Sequence, residues 1–434
     1  TISEDANSIT LGLNLTDRVG LGTAAENKTF SIDTVAPVIT VTWDNNDVRN
    51  GKYYNADRTA TVTVKERNFN PDACNFITTG PTPSISGWTH VGGGSCDGSV
   101  HTDDCSYVAT VTFSQDGDYS FTFNTTDLAG NSAAYSQTDE FTVDKTAPII
   151  NVTYSNNDVR NGMYYNASRI GTITITEHNF NSADVQTSIT VNGAAAPGVG
   201  GWSSSNDENS ASIGYTYDGE FTFNVSYTDL AGNPAAPYQG DHFIVDMTKP
   251  SIEIYDIVDK SANNGTVAPG VRYSDTNVDT NGVSIKLTGA NNGDYKLDGN
   301  KSSSGNSVDL KLNDFPHEES VDDLYTMAAT VSDLAGNQSE QSVLFSVNRF
   351  GSVYVLSDDT KALVQNKYTN VEPTVVVSEI NVDSLEERDV SMARDGDVSE
   401  LKETTDYKVA GSGDENTWKK YDYTIAKSNF TQEG

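Results

Sequence analysis

The chain is poor in cysteine and in basic residues, and both shortages exclude classes of protein. Only three of its 434 residues are cysteine, so disulfides do not hold it together along its length. Lysine and arginine number 27 against 61 aspartate and glutamate, a net charge of −34. Such a surface repels phosphates and anionic lipids, so we expect no nucleic-acid partner. Long apolar runs are also missing, and we therefore expect no direct membrane insertion.

The cysteines that are present lie close together. Cys96 and Cys105 bracket a short Gly- and Asp-containing segment, and a local disulfide could close it in an oxidising compartment. Cys74 would then be left over, and the sequence alone does not decide the pairing. The first residues carry no basic-then-apolar signal peptide, so we expect an internal piece of a longer secreted chain.

A five-residue motif recurs at a domain-sized spacing. Asp-Leu-Ala-Gly-Asn occurs at 127–131, 229–233 and 333–337, and a degenerate copy starts at Asp17. The first two copies are followed by Val-Asp-x-Thr-x-Pro, at 143–148 and 245–250. A signature with this period indicates a tandem array, and arrays serve reach and display more often than catalysis.

A second motif sets the boundaries of the repeats. Asn-Asn-Asp-Val-Arg-Asn-Gly at 45–51 returns at 156–162, an offset of 111 (156 − 45). We predict five segments. Residues 1–33 hold the last two strands of a unit, and 34–144 form a first repeat with a cysteine-bearing loop insertion around 91–105. Residues 145–246 form a second repeat, 247–348 a divergent third repeat, and 349–434 a C-terminal segment that lacks its last strands. The third repeat ends in Asn-Arg-Phe-Gly without proline, so we expect this hinge to be differently set and looser.

The pattern of side chains predicts an all-β fold. Segments such as 38–43, 59–64 and 107–113 alternate β-branched or aromatic residues with small polar ones. Asn-Gly and Asp-Gly turns separate them, and no segment shows a sustained helical period. Roughly seven short strands in about 100 residues predict a linear array of immunoglobulin-like sandwiches.

The two motifs together resemble the tandem bacterial Ig-like repeats of large cell-surface and adhesin proteins. The resemblance covers residues 1–348 well and 349–434 weakly. It implies an extracellular location at a bacterial cell surface and a role as a stalk or adhesin segment. Related adhesins hold calcium at the junctions between domains, which the resemblance implies for this chain also.

Sandwich topology predicts an acidic cluster at each junction. The loops after the second and the penultimate strand face the pole where the chain enters, so their acids should meet the acid of the linker. An acid-x-Asn pattern follows the second strand, and the Asp-Leu-Ala-Gly-Asn motif follows the penultimate one. The predicted triads are Asp33–Glu66–Asp127, Asp144–Glu177–Asp229 and Asp246–Asp275–Asp333.

Two interpretations of these triads stay open. In one, the carboxylates coordinate calcium, which takes six to eight oxygens and tolerates irregular geometry. In the other, they accept hydrogen bonds from loop and linker amides. The absence of an EF-hand loop favours the second interpretation. Three acids without a counter-charge favour the first, unless Lys145 or Arg67 supplies that charge.

Catalysis is not expected. The five histidines are scattered without metal spacing, and no nucleophile elbow, phosphate loop or dinucleotide fingerprint occurs. The alternative to a stalk is an accessory region that binds a glycan or a host surface protein. The paired tyrosines at 53–54 and 164–165 would suit sugar stacking, but one of each pair is expected in the core.

The two terminal segments complement each other. The first contains the two strands that the last one lacks, which suggests either a piece of a longer array or head-to-tail self-association of copies. The first explanation is the simpler one.

Overall fold

The computed structural model describes residues 4–92, 105–192, 195–414 and 416–432. It confirms the all-β prediction: short antiparallel strands assemble into facing pairs of sheets, each pair enclosing its own apolar core. The alternation predicted from sequence is visible in the burial of single strands, because every second side chain points inward. No helix among the described residues is long and apolar enough to cross a bilayer.

The N-terminal segment forms two short ribbons. Its strands are β1 (Ala6–Leu11), β2 (Asn14–Thr16), β3 (Gly22–Ala24) and β4 (Lys28–Ile32). β1 pairs with β4 and β2 with β3, both antiparallel. Its apolar side chains, such as Leu15 and Leu21, remain exposed.

The first repeat is a two-sheet sandwich. Its strands are β5 (Val38–Trp43), β6 (Tyr53–Tyr54), β7 (Arg58–Lys65), β8 (Asn75–Thr79), β9 (Ser84–Ile85), β10 (Thr89–Gly92), β11 (Ser106–Phe113), β12 (Gly117–Thr126), β13 (Ser132–Ala134) and β14 (Asp139–Val143). One sheet has the order β10-β11-β7-β5 with β9 beside β11, and the other β13-β12-β14-β6 with β8 beside β12. The predicted loop insertion falls largely on residues 93–104, outside the described residues.

The second repeat has the same plan. Its strands are β15 (Ile149–Tyr154), β16 (Tyr164–Tyr165), β17 (Arg169–Thr176), β18 (Gln186–Val191), β19 (Ser203–Ser205), β20 (Glu208–Tyr215), β21 (Gly219–Ser226) and β22 (Tyr238–Val245). The sheets are β15-β17-β20-β19 and β16-β22-β21-β18. In both repeats the short strand β6 or β16 runs parallel to the last strand.

The third repeat keeps this frame despite its divergent sequence. Its strands are β23 (Ser251–Tyr255), β24 (Ser261–Asn263), β25 (Gly270–Ser274), β26 (Val278–Gly289), β27 (Gly293–Tyr295), β28 (Gly299–Ser304), β29 (Ser307–Leu312), β30 (Asp323–Asp333) and β31 (Gln338–Val347). The sheets are β23-β25-β29-β28 and β24-β31-β30-β26-β27.

The C-terminal segment has one four-stranded sheet, β32-β33-β37-β36, and a hairpin, β34-β35. The elements are β32 (Val353–Leu356), α1 (Asp358–Asn366), β33 (Val375–Asn381), β34 (Ser391–Arg394), β35 (Asp397–Glu400), β36 (Tyr407–Ser412) and β37 (Lys419–Ile425). The helix α1 was not expected from periodicity. Ser357 caps it by accepting the Thr360 N–H, and two aspartates occupy its first turn.

One arginine is buried in the core of each of the first two repeats. The Arg169 guanidinium lies over the rings of Tyr154, Tyr165 and Phe243, 3.6 to 4.6 Å from their centroids. Arg58 occupies the equivalent place in the first repeat, over Trp43, Tyr54 and Phe141. The second tyrosine of each Tyr-Tyr pair is therefore a core residue that faces a cation.

The hinge after the third repeat is not loose. A buried apolar cluster of Val353, Ile380 and Trp418 packs against Leu324 and Leu344 of the third repeat. The Trp418 N–H donates to Lys260 O at 2.7 Å, and Asn348 Nδ2 donates to Ile380 O at 2.9 Å. This junction is therefore set differently from the earlier ones, as expected, but the expected looseness was wrong, because side-chain packing stabilises it.

Candidate metal centres at the junctions between repeats

Strand direction brings the acids of each junction to one end of a sandwich. In the second repeat, β17 runs toward the first repeat and ends just before Glu177. β21 runs the same way, and the loop after it contains Asp229. The linker residue Asp144 enters between them, directly after the last strand of the first repeat. Three segments far apart in sequence therefore deliver one carboxylate each.

The structure brings all nine predicted site residues together as three triads. Within each triad, one carboxylate oxygen per residue lies within 4.8 Å of the others. Most of the nine side chains are buried, and only Asp33 and Asp275 are half-buried. The triads are Asp33–Glu66–Asp127, Asp144–Glu177–Asp229 and Asp246–Asp275–Asp333.

Amide donors occupy part of the coordination capacity of these acids. At the second junction, Glu177 Oε1 accepts the Asn179 N–H at 2.7 Å, and the Asn179 side chain donates to Asp144 Oδ2 at 3.3 Å. Asn233 donates its backbone N–H to Asp229 Oδ1 and its side-chain amide to Asp229 Oδ2. That same amide also reaches Asp144 O at 2.9 Å. The hydrogen-bonding interpretation therefore describes real contacts.

The same network recurs at the other two junctions. Asn68 and Asn277 hold the linker acids Asp33 and Asp246 at 2.7 Å. A carboxylate has about four lone-pair directions, and even Asp127, which accepts three hydrogen bonds, keeps oxygen capacity for a cation. Hydrogen bonding and metal coordination are thus compatible in this geometry.

The electrostatics of the triads disfavour three bare negative charges. Burial, together with the charges of Asp144 and Asp229, raises the pKa of Glu177 to about 7 against the opposing effect of the Asn179 N–H. Burial likewise raises the pKa of Glu66 to about 7 and that of Asp246 to about 6. In each case the charged form is desolvated and repelled by its neighbours.

The candidate counter-charge Lys145 points away from the triads. Its ammonium lies 2.8 Å from Asp57 Oδ1 and 2.7 Å from Ser114 O, both in the first repeat. Lys145 therefore binds the linker to the first repeat and does not neutralise the acids of the second repeat.

Two aspartates that sequence analysis missed hold the linkers. Asp116 accepts the Lys145 N–H at 3.1 Å and the Thr146 hydroxyl at 2.5 Å. Asp218 accepts the Met247 N–H at 2.7 Å and the Thr248 hydroxyl. The sequence contained a signal for both, because each aspartate precedes a glycine and each threonine belongs to a copy of Val-Asp-x-Thr-x-Pro.

Solvent-accessible space adjoins two of the triads. A cleft of about 400 Å³ beside the second triad is lined by Asp144, Glu177 and Asn179 together with Asp116. A cleft of about 320 Å³ lies beside Asp246 and Asp275 at the third. Both clefts give an ion and its water ligands a route to the carboxylates.

The C-terminal segment departs from the pattern. Glu379 stands at the place of the second-strand acid but bonds to Ser352 Oγ at 2.6 Å and Tyr423 Oη at 2.9 Å. Asn348 replaces the linker acid. Among the described residues, this junction has no carboxylate triad.

The predicted disulfide falls partly outside the described residues. Cys96 lies outside them, whereas Cys105 is fully buried and Cys74 is a free thiol. The Cys96–Cys105 pairing remains a prediction.

Comparison with known families identifies the class of the chain. Residues 105–215 and 214–349 match the bacterial Ig-like domain (group 3) family. Together these matches span 105–349, more than half of the 434 residues. The chain therefore belongs to the bacterial Ig-like domain family. No curated protein matches it.

Solved structures similar to the chain include tandem immunoglobulin domains. The ICAM-5 D1-D4 ectodomain fragment is 7% identical with a TM-score of 0.36, covering 89% of this chain and 98% of that one. Dpr2 Ig1-Ig2 in complex with DIP-Theta Ig1-Ig3 is 9% identical with a TM-score of 0.30, covering 72% and 100%. A titin substructure, A168169, is 12% identical with a TM-score of 0.27, covering 46% and 99%. At these scores the likeness supports no functional argument.

Proposed function

We propose that this chain is a stiff, rod-like segment of an extracellular bacterial surface protein, a stalk or adhesin array whose junctions bind calcium. The observation that carries the proposal is the recurrence of a buried carboxylate triad at three successive junctions. Each triad joins a linker acid to two loops of the following repeat, so a bound ion would tie linker and repeat together. The proposal includes no catalytic role.

The chemistry of the triads fits calcium better than a softer metal. The ligand atoms that each triad offers are carboxylate oxygens, such as those of Asp144, Glu177 and Asp229 at the second junction. Calcium accepts oxygen ligands in irregular numbers and completes its shell with water. Burial and, to a smaller extent, repulsion by the neighbouring acids raise the pKa of Glu66 and Glu177, and a divalent cation would offset both.

Calorimetric titration of the whole chain with calcium tests this proposal. We expect about three ions per chain, one for each triad, and a rise in the thermal midpoint that EGTA reverses. Asp229→Asn removes one ligand charge and should abolish one binding event. Asp184→Asn is the matched control, because Asp184 is exposed, outside the triad and absent from the lining of the adjacent cleft. If neither heat of binding nor midpoint responds to calcium, the cation-stiffened rod is wrong.

Head-to-tail self-association is a second candidate, favoured by a cleft in the C-terminal segment and by exposed apolar side chains in the N-terminal segment. The inner face of the sheet β32-β33-β37-β36 borders a cleft of about 710 Å³ lined by Val375, Val377 and Ile425. The N-terminal ribbons expose Leu15 and Phe30, among other apolar side chains. We propose that the ribbons of one copy occupy this cleft in another, by strand addition.

Light scattering of the whole chain over a range of concentrations tests this second proposal. We expect a mass that rises with concentration, and a lower mass for Phe30→Asp than for Ile85→Asp. Ile85 is a suitable control because its side chain is also exposed, but lies in the first repeat. A single monomeric mass at every concentration would eliminate self-association.

A further inference from the structure

The Asn-Gly turn of each of the first two repeats contacts the following repeat. Asn50 Nδ2 donates to Leu230 O at 2.8 Å across the first of these interfaces. Asn161 Nδ2 donates to Leu334 O at 2.7 Å across the second. Asn161 is the counterpart of Asn50, and Leu230 and Leu334 are the second residues of their Asp-Leu-Ala-Gly-Asn motifs. Two independent copies of the interface thus use equivalent atoms.

The arginine before each asparagine covers a glycine of the same motif. A Cβ built on Gly232 would lie 2.6 Å from Arg49 Nη1 and 2.9 Å from its Cδ. The nearest atom to such a Cβ on Gly336 is Arg160 Nη1, at 3.7 Å. Gly232 therefore permits close approach of the arginine side chain, which a larger residue would displace.

The first repeat shows what the motif looks like without such a contact. Its Leu128 is 71% exposed, Ala129 is exposed, and nothing lies within 4 Å of a Cβ built on Gly130. In contrast, the equivalent alanines Ala231 and Ala335 are fully buried. The motif's centre is buried in the two repeats that follow a complete repeat and exposed in the one that does not.

The contacting turn is held rigidly by the core of its own repeat. Asn50 and Asn161 share a left-handed backbone, with φ of 44° in both, as asparagine tolerates. Arg169, the arginine buried in the core of the second repeat, donates a hydrogen bond from Nε to Asn156 O at 2.9 Å, near the start of this loop. The buried cation therefore positions the turn that reaches the next repeat.

We propose that the Arg-Asn-Gly turns of the first two repeats are docking elements for the following repeat. The turn at 49–51 binds the Leu-Ala-Gly segment 230–232, and the turn at 160–162 binds the segment 334–336. Through these contacts they set the rotation between neighbouring repeats. The linker connects the two repeats covalently, and the turn adds a contact with the residue that follows Asp229 or Asp333. A linker together with a second contact defines an orientation that a single flexible linker does not. The contact involves none of the triad carboxylates and so acts without a cation.

Distance measurements by electron spin resonance across the junction of the second and third repeats test this proposal. Spin labels at Ser188→Cys and Ser302→Cys, on exposed strand positions, report the relative placement of the two repeats. Cys74→Ser provides the background, and mass spectrometry checks the number of labels. All measurements are made in excess EGTA and repeated with calcium.

The variant for this junction is Asn161→Asp. Aspartate also tolerates the left-handed backbone, but its carboxylate opposes Leu334 O instead of donating to it. We expect the distance distribution to shift and widen. Asn206→Asp is the matched control, since Asn206 also has a positive φ, of 50°, in an exposed turn of the second repeat. It should leave the distribution unchanged.

A glycine pair supplies a second test at the preceding junction. Gly232→Ala and Gly130→Ala strain the backbone alike, because their φ values are 91° and 98°. Of these two glycines, Gly232 alone lies against an arginine of another repeat. With labels at Asn75→Cys and Ser188→Cys, Gly232→Ala should shift the distance between the first two repeats and Gly130→Ala should not.

The proposal is overturned if Asn161→Asp and Gly232→Ala both retain the distance distribution of the parent chain in EGTA. Circular dichroism establishes that each variant is folded. The outcome is separable from that of calcium binding: a chain that ignores calcium but loses its orientation in these variants supports the docking turns alone.

Discussion

Replacing Glu177 by glutamine should affect the second repeat in opposite directions with and without calcium. At about pH 8 in EGTA, Glu177 is ionised although its buried site disfavours the charge, as its pKa of about 7 shows. Relative to an ordinary value of 4.5, this shift corresponds to roughly 3 kcal/mol, at about 1.4 kcal/mol per pKa unit. Glutamine keeps an oxygen for the Asn179 N–H and removes the charge.

In EGTA, Glu177→Gln is therefore expected to raise the free energy of unfolding of the second repeat by up to about 3 kcal/mol. In calcium, the same variant loses a charged ligand and should be less stable than the parent chain. The expected result is a crossover between the two conditions, which neither a general packing defect nor a general stabilisation would produce.

Urea unfolding followed by tryptophan fluorescence resolves this repeat from its neighbours. Trp202 is the one tryptophan in 145–246. It packs on Phe180, which lies in the same loop as Glu177. Replacing the other three tryptophans, as Trp43→Tyr, Trp88→Phe and Trp418→Phe, isolates its signal. Glu208→Gln is the control, because Glu208 is an exposed acid of the same repeat.

The reasoning is refuted if Glu177→Gln destabilises the repeat equally in EGTA and in calcium. That result would mean that the carboxylate serves only as a hydrogen-bond acceptor. Equal stability of Glu177→Gln and the parent chain in EGTA would show that burial does not disfavour the charge.

Three further predictions concern pH, the caged arginine and the last junction. In EGTA, the thermal midpoint should fall as the pH rises from about 5 to about 8. The raised pKa values of Glu66 and Glu177 stabilise the fold below about pH 4.5, and this stabilisation is lost as the pH passes about 7. Calorimetry at fixed ionic strength checks this, and a rising midpoint contradicts it. Arg169→Ala should destabilise the second repeat by about 2 kcal/mol or more, since it removes a cation from three aromatic rings; urea unfolding measures the loss, and Lys249→Ala, on the exposed linker, should have little effect. Trp418→Ala should cost about 3 to 5 kcal/mol at the apolar cluster and expose 349–434 to limited proteolysis; unchanged protease resistance would show that the cluster does not stabilise this junction.

The clustering of the acids was accessible from sequence because strand direction is regular. Glu177 follows the second strand of its repeat and Asp229 the penultimate one, so any sandwich of this topology places both at the entry pole. The linker acid must be there as well, since the chain passes through that point. Their repetition in three repeats distinguished them from scattered surface acids.

Other features depend on contacts that local sequence does not encode. The helix α1 is only nine residues long, too short for periodicity to separate it from a loop. The apolar junction after the third repeat joins Lys260 to Trp418, which are 158 positions apart (418 − 260). The absence of proline did not predict how firmly this junction is held, because side-chain packing there outweighs the stiffness of the linker.

Sequence by itself determined the fold class, the repeat motifs and which carboxylates meet, because each follows from alternation, turns and strand order within one repeat. Tertiary structure alone decided how neighbouring repeats are rotated, and so revealed that Asn161 reaches Leu334 O. Rotation about a linker is set by surfaces of two separately folded cores, and no pattern within either repeat specifies how those surfaces meet.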